Sequence, residues 1–182
     1  MHRHPSGRLV WLSGILTVLV LSTHAMAQLT LEHETLCAFS MRDTDAWQQV
    51  LHARNVGLQR IPSSPAPRYY QNGTAAMVVY CAPRFGPGAD FETSVAREVS
   101  AVSHSYTDFS IVGSDRFEFQ RTPAQWFLFS GSLKLKPSAE QGYMIVADRG
   151  ARSLVIALST HADPNRDDAQ LFRSAMQLFA LR

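Results

Sequence analysis

An acidic run near the C-terminus is the local pattern in this sequence that comes nearest to a site of chemistry. Within Asp163–Asp168, side chains with oxygen atoms at the first, third and fifth positions match the first ligands of a calcium-binding loop. The match then fails, because the sixth position holds Asp168 instead of glycine and the twelfth holds Ser174. Acidic residues before a helix also cap its free N–H groups. We therefore expect a helix cap, with metal binding or hydrolysis over His161–Asp168 as the alternative.

The histidines and serines show no catalytic arrangement. The histidines beyond residue 27 are scattered without the spacing of metal ligands: His33, His52, His104 and His161. Ser103 and His104 are adjacent, but neighbours on a helix point about 100° apart, so they do not form a nucleophile–base pair. We expect no catalytic residues, no metal site and no cofactor.

Aromatic residues are the remaining candidates for a site. If residues 125–129 form a strand, alternation places Phe127 and Phe129 on one face and Trp126 on the other. Apolar groups then point both ways, so either a helix or loop covers the second face or a partner does. Aromatic side chains dominate the hot spots of binding surfaces. The candidate binding residues are Tyr69, Tyr70, Trp126, Phe127 and Phe129.

The N-terminus has the pattern of a secretory signal peptide over residues 1–27. Arg3 and Arg8 precede the apolar run Leu9–Leu21, and Ala25-Met26-Ala27 gives a small-x-small cleavage site. A membrane-spanning helix needs about 20 apolar residues, and this run is shorter. We predict cleavage before Gln28 and export to the periplasm, with an uncleaved anchor as the alternative. Residues 28–182 would then form a single exported domain without a transmembrane span.

Export would place the two cysteines in an oxidising compartment, which affects their expected oxidation state. Cys37 and Cys81 are the only cysteines, and an oxidising compartment favours a disulfide between them. Closing a loop of about 45 residues would stabilise the fold by about 4 kcal/mol on the chain-entropy model. Two buried free thiols and a catalytic thiol are the other interpretations.

Composition and charge exclude some classes of partner. The chain is 46% hydrophobic and 18% charged, which is typical of a globular protein. Its 17 basic and 15 acidic residues give a net charge of +2, and Arg3 and Arg8 account for that surplus. A balanced chain lacks the clustered Lys and Arg that bind phosphates, so we expect no nucleic-acid partner.

Apolar periodicity predicts more strands than helices. A helix is expected over 44–55, after the caps Asp43 to Asp45, and another over 90–104, after Asp90. Strands over 68–71 and 74–80 flank a type I′ turn at Asn72-Gly73. Further strands are expected at the following segments: 29–32, 109–112, 117–120, 125–129, 143–147 and 154–159.

A terminal helix completes the pattern. It begins at Asp167 or Asp168 and has an apolar face made of Leu171, Phe172, Ala175, Met176 and Phe179. Strands joined by short turns, with helices between groups of them, indicate an α+β fold: an antiparallel sheet with helices packed on it, in one domain.

The order of these elements resembles the PsbP-like fold, shared by photosystem extrinsic proteins and DcrB-type periplasmic proteins. The resemblance covers about 70–182 and is carried by a strand at 76–80, the helix from Asp90, the strands around Phe117 and Trp126, and the hairpin 142–158 before the terminal helix. Segment 28–67 departs from the family pattern. The resemblance implies binding to other proteins or an accessory role, with no catalytic residues to carry over.

These observations together predict an exported, periplasmic, non-enzymatic binding or accessory protein. A more specific version is an inhibitor or immunity protein that neutralises a periplasmic enzyme. The expected partner is another envelope or periplasmic protein. The alternatives are a small hydrolase or metal-binding protein using His161–Asp168, and a structural component of an envelope complex.

Overall fold

A computed structural model describes residues 36–42, 47–50, 67–84, 89–134, 138–161 and 168–181. The predicted signal peptide, the strand at 29–32 and most of the acidic run 163–168 lie outside these residues. The strands are, in chain order, β1 Phe39–Met41, β2 Gln48–Val50, β3 Arg68–Asn72, β4 Ala75–Pro83, β5 Tyr106–Phe119, β6 Thr122–Leu133, β7 Ala139–Asp148, β8 Arg152–His161 and β9 Phe179–Leu181. The helices are α1 Phe91–Ser103 and α2 Asp168–Met176.

Seven of these strands form one antiparallel sheet in the order β2-β3-β4-β8-β7-β6-β5. The remaining two, β1 and β9, pair with each other in a small second sheet. Helix α1 packs on one face of the large sheet, against a core that includes Val78, Val146 and Val155. Helix α2 and the β1–β9 pair pack on the other face, against a core that includes Met77 and Ile156. The predicted antiparallel α+β fold is confirmed.

The helix predicted over 90–104 is confirmed, and its anchor is a buried polar contact. The Asp90 carboxylate accepts a hydrogen bond from the Thr93 N–H at 2.7 Å, which satisfies a free donor of the first turn. Glu98 lies on the buried side of the helix and accepts a hydrogen bond from the Tyr80 hydroxyl at 2.8 Å. Because Tyr80 belongs to β4, this bond fixes α1 on the sheet.

The helix predicted over 44–55 is wrong in the part that the structure describes. Gln48–Val50 is strand β2, which pairs with β3 through Gln49 opposite Tyr70. Trp47 is buried in the core on the α2 face. The apolar spacing is compatible with a helix, but pairing with an available strand edge decided the backbone conformation.

Two further predictions are corrected in detail. The β3–β4 turn consists of Gly73 and Thr74, because Asn72 pairs with Ala75 and the positive φ of 57° lies at Gly73. Phe179 belongs to β9 and not to the terminal helix, which ends at Met176. The spacing of Phe179 fits a helical face, but the chain leaves the helix to pair with β1.

The predicted disulfide between Cys37 and Cys81 is present, with the two Cα atoms 5.9 Å apart. It ties the segment before β1 to the middle of the large sheet. Arg149, in the β7–β8 turn, holds the same segment by donating hydrogen bonds to the carbonyl oxygens of Cys37 at 2.7 Å and Ala38 at 3.2 Å. In the described part of the chain, no helix is long and apolar enough to cross a membrane.

Candidate functional site

An apolar groove lies between α2 and the part of the sheet formed by β5, β6 and β7. Its volume is about 460 Å³, within the range of about 300–1,000 Å³ typical of ligand sites. Most of its lining is aromatic or aliphatic. The lining residues are Phe117, Phe119, Trp126, Tyr143, Ile145, Ala169, Phe172, Arg173, Met176 and Gln177.

Trp126 forms part of the groove floor and is partly exposed. It lies on β6 between Asp115 of β5 and Ile145 of β7. Its indole ring covers Gly113 of β5, since a Cβ atom added at Gly113 would lie 3.4 Å from Trp126 Cη2. This distance is that of ordinary van der Waals contact, so the ring lies directly over the backbone of β5. The floor of the groove extends to that strand.

The other aromatic candidates lie elsewhere. Phe127 and Phe129 point to the α1 face, opposite Trp126 as predicted, and are 6% and 0% exposed. The Phe129 ring meets Tyr106 with centroids 5.6 Å apart. Tyr69 and Tyr70 are also buried, on opposite faces of the sheet. Helix α1 covers the face to which Phe127 and Phe129 point. None of the four residues lines the groove.

Two wall residues of the groove were not among the candidate binding residues named from the sequence. Tyr143 of β7 and Phe172 of α2 stack with ring centroids 4.5 Å apart and an interplanar angle of 16°. The stack closes the groove on the α2 side. The apolar spacing around each residue predicts its own strand or helix. It does not predict a contact between positions 143 and 172, which are almost 30 residues apart. Arg173 is the only charged residue of the lining.

A second cluster of polar groups is buried where the start of β7 pairs with the end of β8. Glu140 is 2% exposed and accepts hydrogen bonds from the Tyr106 hydroxyl at 3.2 Å and from the Ser159 hydroxyl. His161 Nδ1 lies 3.9 Å from Glu140 Oε1. Burial raises the pKa of Glu140, and burial together with the Glu140 charge raises the pKa of Tyr106.

This cluster gives the alternative site one described member, His161. Residues 162–167 lie outside the described part of the chain, so the calcium-loop interpretation stays a prediction. Among the described residues, no group of three or more His, Cys, Asp or Glu side chains is placed to hold a metal ion. Glu140 is closed off from solvent and its hydrogen bonds join β7, β8 and the start of β5, which is a structural role.

The fold is PsbP-like, as solved structures show. The cyanobacterial PsbP protein CyanoP from Synechocystis matches with a TM-score of 0.52 and 10% identity, over 82% of this chain and 90% of that one. Mog1p, a Ran-binding protein of Saccharomyces cerevisiae, matches with a TM-score of 0.52 and 10% identity, over 79% and 90%. A Pseudomonas aeruginosa protein of unknown function has a TM-score of 0.50 and 15% identity, over 77% and 85%.

The likeness is one of fold. No family model and no curated protein matches the sequence. The resemblance predicted from the order of the elements is confirmed at this level.

Proposed function

We propose that this chain is an exported, non-enzymatic binding or accessory protein of the periplasm, and that it binds an apolar part of another envelope protein in the groove over Trp126. The observation that carries the proposal is the groove itself. Aromatic side chains from three strands and a helix converge there, and Trp126 remains partly exposed. Large aromatic residues in a desolvated pocket supply most of the free energy at protein interfaces.

Two observations support the exported, protein-binding part of the proposal. The Cys37–Cys81 disulfide suits an oxidising compartment, and the N-terminal 27 residues have the signal-peptide pattern. A protein of the same fold, Mog1p, is described as a Ran-binding protein, so this fold supports protein binding in at least one case. A more specific form of the proposal is an inhibitor or immunity protein whose partner is a single periplasmic enzyme.

Site-specific photo-crosslinking in the native envelope tests the proposal. A photoreactive phenylalanine analogue replaces Trp126, and in a matched control it replaces Ala96, which is exposed on α1 at the opposite face of the sheet. We expect a defined adduct with one envelope protein from position 126 and none from position 96. The partner, once purified, should bind the wild-type protein and lose at least about tenfold in affinity for Trp126→Ala, the range of an interface hot spot.

The outcomes distinguish the forms of the proposal. A single hydrolase as the partner, inhibited by the wild-type protein and not by Trp126→Ala, supports the inhibitor form. Several subunits of one complex support an accessory role. Equal adducts from both positions, or unchanged affinity in a Trp126→Ala protein with a native melting temperature, would refute the proposal.

A further inference from the structure

Among the strands that the structure describes, β5 is an edge strand of the large sheet, next to the groove. It lies at the end of the strand order, and among the described strands β6 is its only neighbour. Residues Gly113–Phe119 pair one-to-one with β6 without interruption, whereas the register shifts before Gly113. Every second residue of an edge strand directs its N–H and C=O away from its neighbour. The regular part of β5 therefore offers backbone donors and acceptors over seven residues, among which the Arg116 N–H already donates to the Asp115 carboxylate at 2.8 Å.

The two faces of this edge differ in chemistry. On the groove face, Phe117 and Phe119 line the groove, Trp126 lies over Gly113, and the exposed Asp115 lies opposite Trp126. On the other face, Arg116 forms an exposed ion pair with Glu92 of α1 at 2.8 Å. A strand added along β5 would thus have mainly aromatic surroundings, with the Asp115 carboxylate at one position, for one set of alternate side chains and charged surroundings for the other.

Two exposed apolar residues lie just before the regular part of β5. Ile111 and Val112 are 45% and 60% exposed, and they are the exposed large hydrophobic residues of the described chain. Val112 is the unpaired residue of a bulge, since Ile111 and Gly113 face consecutive residues of β6. Ile111 pairs with Phe129 and so lies on the α1 face of the edge, opposite the groove.

We propose that β5 takes an extended segment of the partner protein as an added antiparallel strand, and that alternate apolar side chains of that segment enter the groove over Trp126. The segment is about seven residues long, with large apolar residues at every second position and polar residues between them. Backbone hydrogen bonds to Gly113–Phe119 supply affinity, and the groove supplies side-chain selectivity. This inference deepens the proposed function and depends on it for the identity of the groove as a binding site.

A peptide selection tests the inference without knowledge of the natural partner. The probe is a displayed library of short peptides in which Val, Ile, Leu or Phe alternates with Thr, Lys or Glu. The wild-type protein is the target, and the Trp126→Ala protein is the counter-target. We expect enrichment on the wild-type protein only. The enriched peptide should slow amide hydrogen exchange in Gly113–Phe119 by at least about tenfold. The same peptide with N-methyl groups on alternate amides should lose at least about tenfold in affinity.

Several outcomes would overturn the inference. One is no enrichment over the counter-target, and another is a bound peptide that protects the groove but leaves β5 exchange unchanged. A third is slow exchange, before any peptide is added, of the β5 amides that point away from β6. With concentration-dependent dimers it would assign the edge to a second copy, and in a monomer it would assign the edge to a segment of this chain. If crosslinking from Trp126 still captures one partner in those cases, the proposed function stands and only strand addition fails.

Discussion

The buried carboxyl of Glu140 shows how a single residue can set the pH dependence of this fold. Its hydrogen bonds come from Tyr106 and Ser159, and one carboxyl oxygen, Oε1, has no hydrogen-bond partner, with His161 Nδ1 3.9 Å away. Burial favours the neutral acid, so the folded state holds a proton at Glu140 more tightly than the unfolded state does. The associated stability is present at low pH and is lost as the pH rises through the raised pKa.

Replacing Glu140 by glutamine should therefore stabilise the protein at neutral to alkaline pH. The amide oxygen still accepts from Tyr106 and Ser159, but no charge is buried. We expect the variant to exceed the wild type by about 1 kcal/mol near pH 8, with a smaller difference near pH 5. Melting temperatures across this pH range measure the effect. Glu118→Gln, at an exposed position of β5, is the control. A stability difference between Glu140→Gln and wild type that does not depend on pH would contradict a raised pKa of Glu140 in the folded state.

At the scale of elements, the β5–β6 turn is made by residues that the sequence did not mark as a turn. Gln120 and Arg121 have φ values of 51° and 67°, in the left-handed region that glycine and asparagine prefer. At Gln120, side-chain hydrogen bonds to a distant strand accompany this conformation. Its side-chain amide donates to the Phe179 carbonyl at 2.6 Å and accepts from the Leu181 N–H at 2.8 Å, which holds β9. Arg121 is exposed.

Arg121→Gly should stabilise the protein, because it removes the strain of a left-handed arginine at an exposed position. The strain is worth about 1 kcal/mol, partly offset by the greater entropy of an unfolded glycine. We expect a small rise in melting temperature. The matched control is Gly73→Ala, which places a side chain at a φ of 57° in the β3–β4 turn and should lower the melting temperature. A fall with Arg121→Gly would show that the arginine side chain stabilises the turn.

At the scale of the whole molecule, the disulfide fastens the N-terminal segment to the large sheet. The sulfur atoms of Cys37 and Cys81 lie in the buried core beside α2 and the β1–β9 pair. Replacing both cysteines by serine should destabilise the protein by about 2–4 kcal/mol, because the cross-link constrains the unfolded chain. Denaturant unfolding measures the loss. Wild-type protein with the bond reduced should show a comparable loss, whereas a loss confined to the serine variant would point to the buried hydroxyls.

The predicted export of the chain can be tested by measuring the mass of the mature protein. Expression of the full sequence should yield a periplasmic protein that begins at Gln28. Ala25→Asp together with Ala27→Asp should block cleavage, since the enzyme requires small residues at those positions, and should leave the longer form at the membrane. Intact mass after fractionation checks both expectations. A wild-type protein that keeps residues 1–27 in the envelope would favour the uncleaved anchor.

Local chemistry explains which parts of the fold were predictable. The Asp90 cap with its apolar stripe predicts α1, and the alternation on either side of Asp148-Arg149-Gly150 predicts the β7–β8 hairpin, because each depends on residues that are neighbours in sequence. The segment around Gln48–Val50 was predicted wrongly for the opposite reason. Its backbone conformation depends on pairing with the edge of β3. The spacing of apolar residues within the segment gives no information about a strand that is distant in sequence.

The same distinction applies to the candidate site. By itself, the sequence determined the α+β class and the separation of Trp126 from Phe127 and Phe129 onto opposite faces of one strand, and it predicted a disulfide between Cys37 and Cys81 with free thiols as the alternative. Only the tertiary structure decided which face is closed and which is open. Helix α1 covers the phenylalanines, whereas Phe117, Tyr143 and Phe172 come together around the tryptophan. Alternation is a property of the local backbone, but a groove exists only where elements distant in sequence pack with a gap between them.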